Sequence, residues 1–266
     1  MIDFHSHILP NIDDGAKNID ETFEMIKEAE KAGFDGILLT PHYIEEYYET
    51  DVAEREVWLA AISQNLHIKN INTDLYLASE IFISDKIMTF LENAKASTIN
   101  NTSYVMFELP LDSEPENLYN TIYSLTSNKL VPVLAHPERY NYVQKEPELI
   151  YDLINRGVLM QMNYGSIIGQ YGKKAQFIAK KLLENNMIHF LGTDAHRENT
   201  IYPKIPSILL LLREIIGIDK LNELTTTNPN LALHNKRIDI EQPTEFELTL
   251  KEKIKLTLMK WFERNW

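Results

Sequence analysis

Ile2-Asp3-Phe4-His5-Ser6-His7 is the stretch on which the fold reading turns. Its apolar start reads as a buried strand, and its end carries two histidines. Residues two apart on a strand point to the same face, so both imidazoles can converge on one ion. Six more short apolar runs follow the same plan: Gly36–Thr40, Asp74–Ala78, Tyr104–Leu109, Leu130–Ala135, Leu159–Met162 and His189–Gly192. Helical periodicity fills the gaps, over Ile19–Ala32, Val52–Ile68, Ser84–Ala94, Glu114–Ser127, Glu146–Asn155 and Tyr171–Glu184, with Ile205–Ile216 after the last strand. In the first helix Ile19, Phe23, Ile26 and Ala29 fall three or four apart, giving one apolar stripe. Gly33 and Gly157 stand where helices should end.

Strict alternation of buried strands and amphipathic helices predicts a parallel α/β fold, either a barrel or a doubly wound sheet. No low-complexity linker divides the chain, so residues 1–266 are expected to form a single domain, with a C-terminal helical segment from about 201. The more basic stretch Lys251–Trp266, with Trp261, Phe262 and Trp266, is expected to be a last helix packed on the barrel.

Ligand-type residues gather where these strands end. His5 and His7 close the first, His42 follows Thr40-Pro41, and Glu80 follows Ala78-Ser79. Glu108 ends the fourth, His136 the fifth and Asp194 with His196 the seventh, while Asp14 lies in the loop after the first. In a parallel barrel these ends share one rim, where active sites are assembled. Five histidines and four carboxylates on one rim would repel and suffer desolvation unless divalent cations sat among them. The set exceeds what one ion needs, which predicts a cluster of two or three, with Glu80 the natural bridge. Imidazole and carboxylate without sulfur suit manganese, iron or zinc. Asp13, beside Asp14 and Gly15, reads as a turn residue, and His67, His189 and His234 as structural. Such a cluster activates water and clamps an in-line displacement, which suits phosphoester hydrolysis. Arg139, just past His136, and Arg197, next to His196, are candidates to hold phosphate oxygens.

Composition narrows the chemistry. The 266 residues include no cysteine, which excludes disulfides, thiolate metal sites and a cysteine nucleophile. A net charge of −13 argues against a nucleic-acid partner. The opening residues carry no basic-then-apolar leader, and the run Ile208–Leu212 is far too short to span a bilayer. A cytoplasmic protein without membrane insertion is expected.

At these residues the sequence resembles the polymerase and histidinol phosphatase (PHP) superfamily. It is most similar there to the bacterial tyrosine-protein phosphatases of capsular and exopolysaccharide synthesis. The matching stretches are MIDFHSHILPNIDDGA at 1–16, TPHY at 40–43, ASEIFIS at 78–84, FELP at 107–110, AHPERY at 135–140, NYGSIIG at 163–169 and GTDAH at 192–196. The resemblance implies a distorted (β/α)7 TIM-like barrel, the PHP fold, holding a trinuclear centre that commonly uses manganese. It implies one ion on His5, His7, Glu80 and Asp194, a second on Glu80, Glu108 and His136, and a third on Asp14, His42 and His196. Arg139 matches the family's phosphate-binding arginine. The implied substrate is phosphotyrosine on a bacterial tyrosine autokinase. Ser6 stands where cysteine is common in the family, on the side of the strand expected to face away from the metals.

The leading expectation is therefore a metal-dependent protein-tyrosine phosphatase using a metal-bound hydroxide. The rival within the same superfamily is a small-molecule phosphomonoesterase of the histidinol-phosphate type. A phosphodiesterase is disfavoured by the acidic charge, and an idle metal-binding scaffold by the completeness of the set. A homo-oligomer is compatible with everything above.

Overall fold

The structure, a computed structural model, describes residues 1–66 and 68–264, with 258–264 described by backbone alone. The first half runs β1 (Ile2–Ser6), α1 (Ile19–Lys31), β2 (Gly36–Leu39), β3 (His42–Tyr43), α2 (Val52–Leu66), β4 (Asp74–Leu77), β5 (Glu80–Phe82) and α3 (Ile87–Glu92). Next come β6 (Tyr104–Glu108), α4 (Leu118–Ser127), β7 (Val131–Ala135), α5 (Glu148–Asn155) and β8 (Leu159–Asn163). The chain continues through α6 (Tyr164–Ile167), α7 (Gly172–Glu184), β9 (Phe190–Gly192), α8 (Ile205–Asn222), α9 (Asn228–Leu233) and α10 (Leu250–Arg264).

All pairings between these strands are parallel, in the orders β1-β2-β4 and β3-β5-β6-β7-β8-β9. The two sheets are joined at both ends. Leu39 pairs with Leu77 and His42 with Glu80, the same offset on either side of a break. Ala78 N donates to Leu39 O at 2.8 Å and Glu80 N to Pro41 O at 3.1 Å across it. Thus β2 with β3, and β4 with β5, are single barrel strands interrupted at Thr40-Pro41 and at Ala78-Ser79. At the other end Asp194 N donates to His5 O at 2.8 Å and His7 N to Ala195 O at 2.9 Å, which lays β1 beside β9. Asp3, fully buried, fastens that seam by accepting from Thr193 N at 2.8 Å and from the hydroxyls of Thr193 at 2.6 Å and Tyr202 at 2.8 Å. Seven strand positions therefore close into the (β/α)7 TIM-like ring.

Packing follows the strand period. Phe4, Leu38, Met106, Val133, Leu159 and Phe190 form one buried cluster from alternate strand residues, with Phe4 and Phe190 stacked at 4.0 Å, and Leu233 of α9 belongs to it. The opposite strand faces, with Leu39, Leu134 and Leu191, pack under the helices in a second cluster. There α1 buries Phe23, Ile26 and Ala29, and its start is fixed by Asn18, which accepts from Asp20 N and Glu21 N. It gives way to Gly33 at φ +98°, a conformation that favours glycine.

The expected helix Ser84–Ala94 shrinks to α3, and Ile205–Ile216 lengthens into α8 across a non-helical Gly217. The basic tail forms α10, tied to α7 by a 2.8 Å ion pair between Lys181 and Glu252 and by burial of Leu256. Trp266 and His67, and the side chains of Trp261 and Phe262, lie outside the described residues. Among the described residues no helix is long and apolar enough to cross a membrane.

Candidate metal centre

The ring brings all nine sequence-nominated ligands to one rim, each with a donor atom within 3.5 Å of another's. His5 Nε2 and His7 Nε2 are 3.1 Å apart. Each lies 3.3 Å from Glu80 Oε2, and they stand 3.7 and 3.5 Å from Asp194 Oδ1. A tetrahedron of ligands about 2.1 Å from an ion has edges of about 3.4 Å, so the atoms of His5, His7 and Glu80 have the mutual spacing of metal ligands, and Asp194 Oδ1 approaches the two histidines. Beside them His42 Nδ1 lies 3.0 Å from Glu80 Oε2 and 3.1 Å from Glu108 Oε1. Beyond that, Asp14 Oδ1 is 3.3 Å from His196 Nε2 and 3.6 Å from His42 Nε2. Three groupings could thus each hold an ion: His5, His7 and Glu80; His42, Glu80 and Glu108; and His7, Asp14, His42 and His196. His136 joins through a 2.8 Å contact from Nε2 to Glu80 Oε1 and stands 4.0 Å from Glu108, so it is farther from that carboxylate than from Glu80.

The backbone turns sharply to deliver these groups. His136 and Asp194, at the ends of β7 and β9, adopt φ of 36° and 55°. Such left-handed residues outside glycine cost about 1–3 kcal/mol and cluster at functional sites. Ser6, between the two histidines, turns away and donates its hydroxyl to Leu38 O at 2.9 Å.

Other side chains fix which imidazole nitrogen faces the cluster. Gln161 Oε1 accepts from His5 Nδ1 at 2.8 Å, and Asp13 Oδ2 from His7 Nδ1 at 2.7 Å. With both Nδ1 atoms protonated, the neutral rings aim two Nε2 lone pairs at each other across 3.1 Å. Only a cation or a shared proton makes that arrangement favourable. His196 is set the same way, its Nδ1 donating to Asp194 O at 2.9 Å. Asp194 Oδ2 in turn accepts from Arg139 Nη1 and Asn163 Nδ2, both at 2.7 Å, and from the Tyr171 hydroxyl at 3.4 Å, which leaves Oδ1 toward the histidines. Asn163 is itself held by Gln161 Nε2 at 3.0 Å.

Electrostatics point the same way. Burial pulls His7 and His42 down, yet the adjoining carboxylates more than offset it and push them up to about 10 and about 12. Burial works against ionising Glu80, but His5 and His42 hold it well below the usual carboxylate range. Asp194 is likewise low, as the charges of His5 and Arg139 outweigh its burial. His42 Nδ1 and Glu80 Oε2 are buried and, though 3.0 Å apart, are not aligned for a hydrogen bond with each other or with any other group. Protons can neutralise this set, and divalent cations would satisfy its orphaned atoms directly, so the residues fit a metal cluster.

Two expectations need correction. Asp13 is more than a turn former, because the same carboxylate that accepts from Gly15 N at 2.8 Å also orients His7 and accepts from His42 N at 2.9 Å. Arg197 donates through Nη1 to the carbonyls of Gly15 and His196, so it braces the Asp14 loop against the end bearing His196 instead of reaching into the cluster. His189 is buried away from the rim, accepting from Met160 N at 3.0 Å, and His234 bonds its own helix at Asn230 O. Gln161, Asn163 and Tyr171 support the site without being nominated by the pattern of His, Asp and Glu at strand ends. The signal for the first two was present: polar residues two apart in the otherwise apolar run Leu159–Asn163.

A closed ring of parallel strands with this rim places the chain among TIM-like barrels of the PHP and amidohydrolase type. More narrowly, the chain belongs to the capsular polysaccharide synthesis family CpsB/CapC, whose profile matches residues 1–234. It is 31% identical over 251 residues to the putative tyrosine-protein phosphatase CapC of Staphylococcus aureus, covering 92% of this chain and 96% of that one. It is 31% identical over 243 residues to the tyrosine-protein phosphatase YwqE of Bacillus subtilis, covering 91% and 95%. A solved structure from the pair YwqE of Bacillus subtilis and CpsB of Streptococcus pneumoniae, described as metal-dependent tyrosine phosphatases, superposes with a TM-score of 0.87 at 30% identity, over 93% of this chain and all of that one. The histidinol phosphate phosphatase of Lactococcus lactis shares the fold, with a TM-score of 0.55 at 12% identity, over 81% of this chain and 94% of that one.

Proposed function

We propose that this protein is a metal-dependent phosphotyrosine-protein phosphatase that acts on a bacterial tyrosine autokinase and so regulates capsule or exopolysaccharide synthesis. The observation that carries the reading is the trio His5, His7 and Glu80 at metal-ligand spacing, with Asp194 beside the two histidines and Arg139 anchored on Asp194. We assign His5, His7, Asp14, His42, Glu80, Glu108, His136, Asp194 and His196 to two or three divalent ions, manganese first and iron or zinc as substitutes. Residues 1–266 would act as one unit in the cytoplasm.

Bound there, the ions would supply charge to the phosphoryl oxygens and lower the pKa of the attacking water. The chain does the rest. Arg139 spends Nη1 on Asp194 and stacks over the Tyr171 ring at 4.5 Å, so its remaining N–H groups are preset for phosphate oxygens. Tyr48 lies parallel to His42, with ring centres 5.9 Å apart, and Tyr47 stands edge-on to it, largely exposed. These rings form an aromatic wall where the phenyl group of phosphotyrosine would enter. Its phenolate is a competent leaving group, with a phenol pKa near ~10.

The test is turnover by manganese-loaded enzyme of a phosphotyrosyl kinase tail against histidinol phosphate. Preference for the kinase tail is the expected result. Faster hydrolysis of histidinol phosphate would move the protein to the small-molecule class.

A further inference from the structure

Among the described residues Arg55 is the largest side chain to be wholly buried, and the phosphatase reading gives it no role. It lies in the first turn of α2, just after the loop that carries Tyr47 and Tyr48. A guanidinium taken out of water is costly unless a carboxylate pairs with it. Arg139, Arg156 and Arg237 have such partners, yet no described carboxylate lies within 4.0 Å of Arg55. Burial pulls the group down to about 10, opposed first by the charge of Asp13. What Arg55 holds instead are neutral oxygens: Nη1 donates to Ser79 Oγ, and Nη2 to His42 O at 3.3 Å. Its Cζ stands 5.9 Å from the centre of the Tyr43 ring. Ser79 is fixed in turn by Ser97, whose backbone N–H donates to the same hydroxyl oxygen at 2.8 Å.

Both contacts fall at the interruptions of the barrel strands. His42 opens β3 after Thr40-Pro41, and Ser79 immediately precedes Glu80, which opens β5. The amide and carbonyl of one strand residue point to the same side. Pro41 O faces β5, where it accepts from Glu80 N at 3.1 Å, so both backbone groups of His42 face the other way. No strand pairs with β3 on that side, because β3 ends the order β3-β5-β6-β7-β8-β9. Asp13 Oδ2 takes the His42 amide at 2.9 Å and Arg55 takes the carbonyl. Two side chains of opposite charge thus stand in for the missing strand. The other arm of the guanidinium reaches the neighbouring strand at the residue before Glu80, and His42 Nδ1 and Glu80 Oε2 lie 3.0 Å apart.

We infer that Arg55 is a positioning residue of the metal centre: its two terminal nitrogens tie the His42 backbone to Ser79 and so set the spacing of the ion site formed by His42, Glu80 and Glu108, a role that rests on the metal assignment made above. The guanidinium suits this because its planar fork offers one nitrogen to each strand, whereas a lysine offers a single nitrogen. Charge alone therefore does not make the bridge. The register of β3 and β5, two and three residues long, has little else to hold it on the β3 side, and both open with a ligand.

The test is binding of manganese alone to the metal-free full-length protein, with free Mn²⁺ counted by electron paramagnetic resonance. The variants are Arg55→Lys, Arg55→Met, Ser79→Ala and, as control, Ile62→Ala, a buried residue about two turns further along the same helix. Arg55→Lys and Arg55→Met should each weaken one manganese step about 10- to 100-fold, the usual cost of losing a group that orients metal ligands. Ser79→Ala, which leaves the guanidinium in place, should weaken the same step. Added to Arg55→Lys it should cost little more, since both changes remove one bridge. Ile62→Ala should lower the denaturant midpoint and leave every manganese step at its native value. Native affinity in Arg55→Lys or in Ser79→Ala would overturn the inference. An equal loss in Ile62→Ala would overturn it too, by making the effect a general loosening of α2. Circular dichroism checks each fold, and if Arg55→Met does not fold, Arg55→Lys and Ser79→Ala decide. No substrate enters the measurement, so the two readings separate. Manganese binding that depends on Arg55, in a protein inert toward phosphotyrosine, would sink the phosphatase reading and leave the role of Arg55 standing.

Discussion

Replacing Asp13 by Asn should weaken metal binding sharply while barely changing side-chain volume. Both oxygens of Asp13 act as acceptors: Oδ2 for His7 Nδ1 at 2.7 Å and His42 N at 2.9 Å, Oδ1 for Gly15 N at 2.8 Å. A carboxamide must put its NH2 group on one of these sides. Facing His7 it forces the proton from Nδ1 to Nε2, which removes the lone pair aimed at the cluster; facing Gly15 it sets donor against donor. The negative charge that steadies His7 is lost in either orientation, as is one charge-assisted hydrogen bond worth about 1.5–3 kcal/mol. Because this residue orients a metal-facing imidazole, manganese affinity should fall about 10- to 100-fold, or about 1.4–2.7 kcal/mol. Competition against a fluorescent chelator reads that constant directly, and circular dichroism confirms the fold. Native affinity in Asp13→Asn would refute the claim that Asp13 sets the His7 tautomer.

Three further perturbations follow from the same geometry. In Arg139→Ala, kcat should drop about 10²- to 10³-fold with the number of bound metals unchanged by elemental analysis, since Asn163 still donates to Asp194 at 2.7 Å. Gly192→Ala would place a Cβ 2.5 Å from His5 Cβ and 2.8 Å from His5 N, so β9 must shift; a loss of about 1–3 kcal/mol should appear in denaturant melts. His189 titrates at about 3 in the fold because burial disfavours its charge and Lys220 adds to that, against about 6.5 unfolded. The unfolded chain therefore binds the extra proton, and stability should fall as pH drops below about 6.5, by roughly 2 kcal/mol at pH 5. His189→Asn, which keeps an acceptor for Met160 N, should flatten the fall between pH 6 and 4, and an unchanged slope would contradict this.

Much of the barrel can be read from period alone, because buried parallel strands are short apolar runs and each helix shows one stripe. The interruptions at Thr40-Pro41 and Ala78-Ser79 escape that reading. A strand of two or three residues such as β3 or β5 is too short to show a period, and it exists because its neighbour holds the register across the break. The ligands were legible as a set, since five histidines and four carboxylates gathered at strand ends on one rim are costly together without cations. Their supports were less so. Asp13 satisfies turn chemistry and site chemistry with one carboxylate, and sequence displays only the first. Arg197 sits beside His196 in sequence, yet its guanidinium direction depends on the Gly15 carbonyl, 182 residues away in the chain. Tyr171 reaches Asp194 through loop geometry that leaves no local pattern.

The central claim is that the rim cluster works through bound metal on phosphotyrosine. The most direct measurement is phosphotyrosyl-protein turnover by one preparation as purified, stripped by chelator, and reloaded with manganese, with metal content determined at each stage. The account predicts two to three ions per chain, loss of activity on stripping, its return on reloading, and no recovery in His42→Ala. Full turnover by metal-free enzyme, or by His42→Ala, would contradict it.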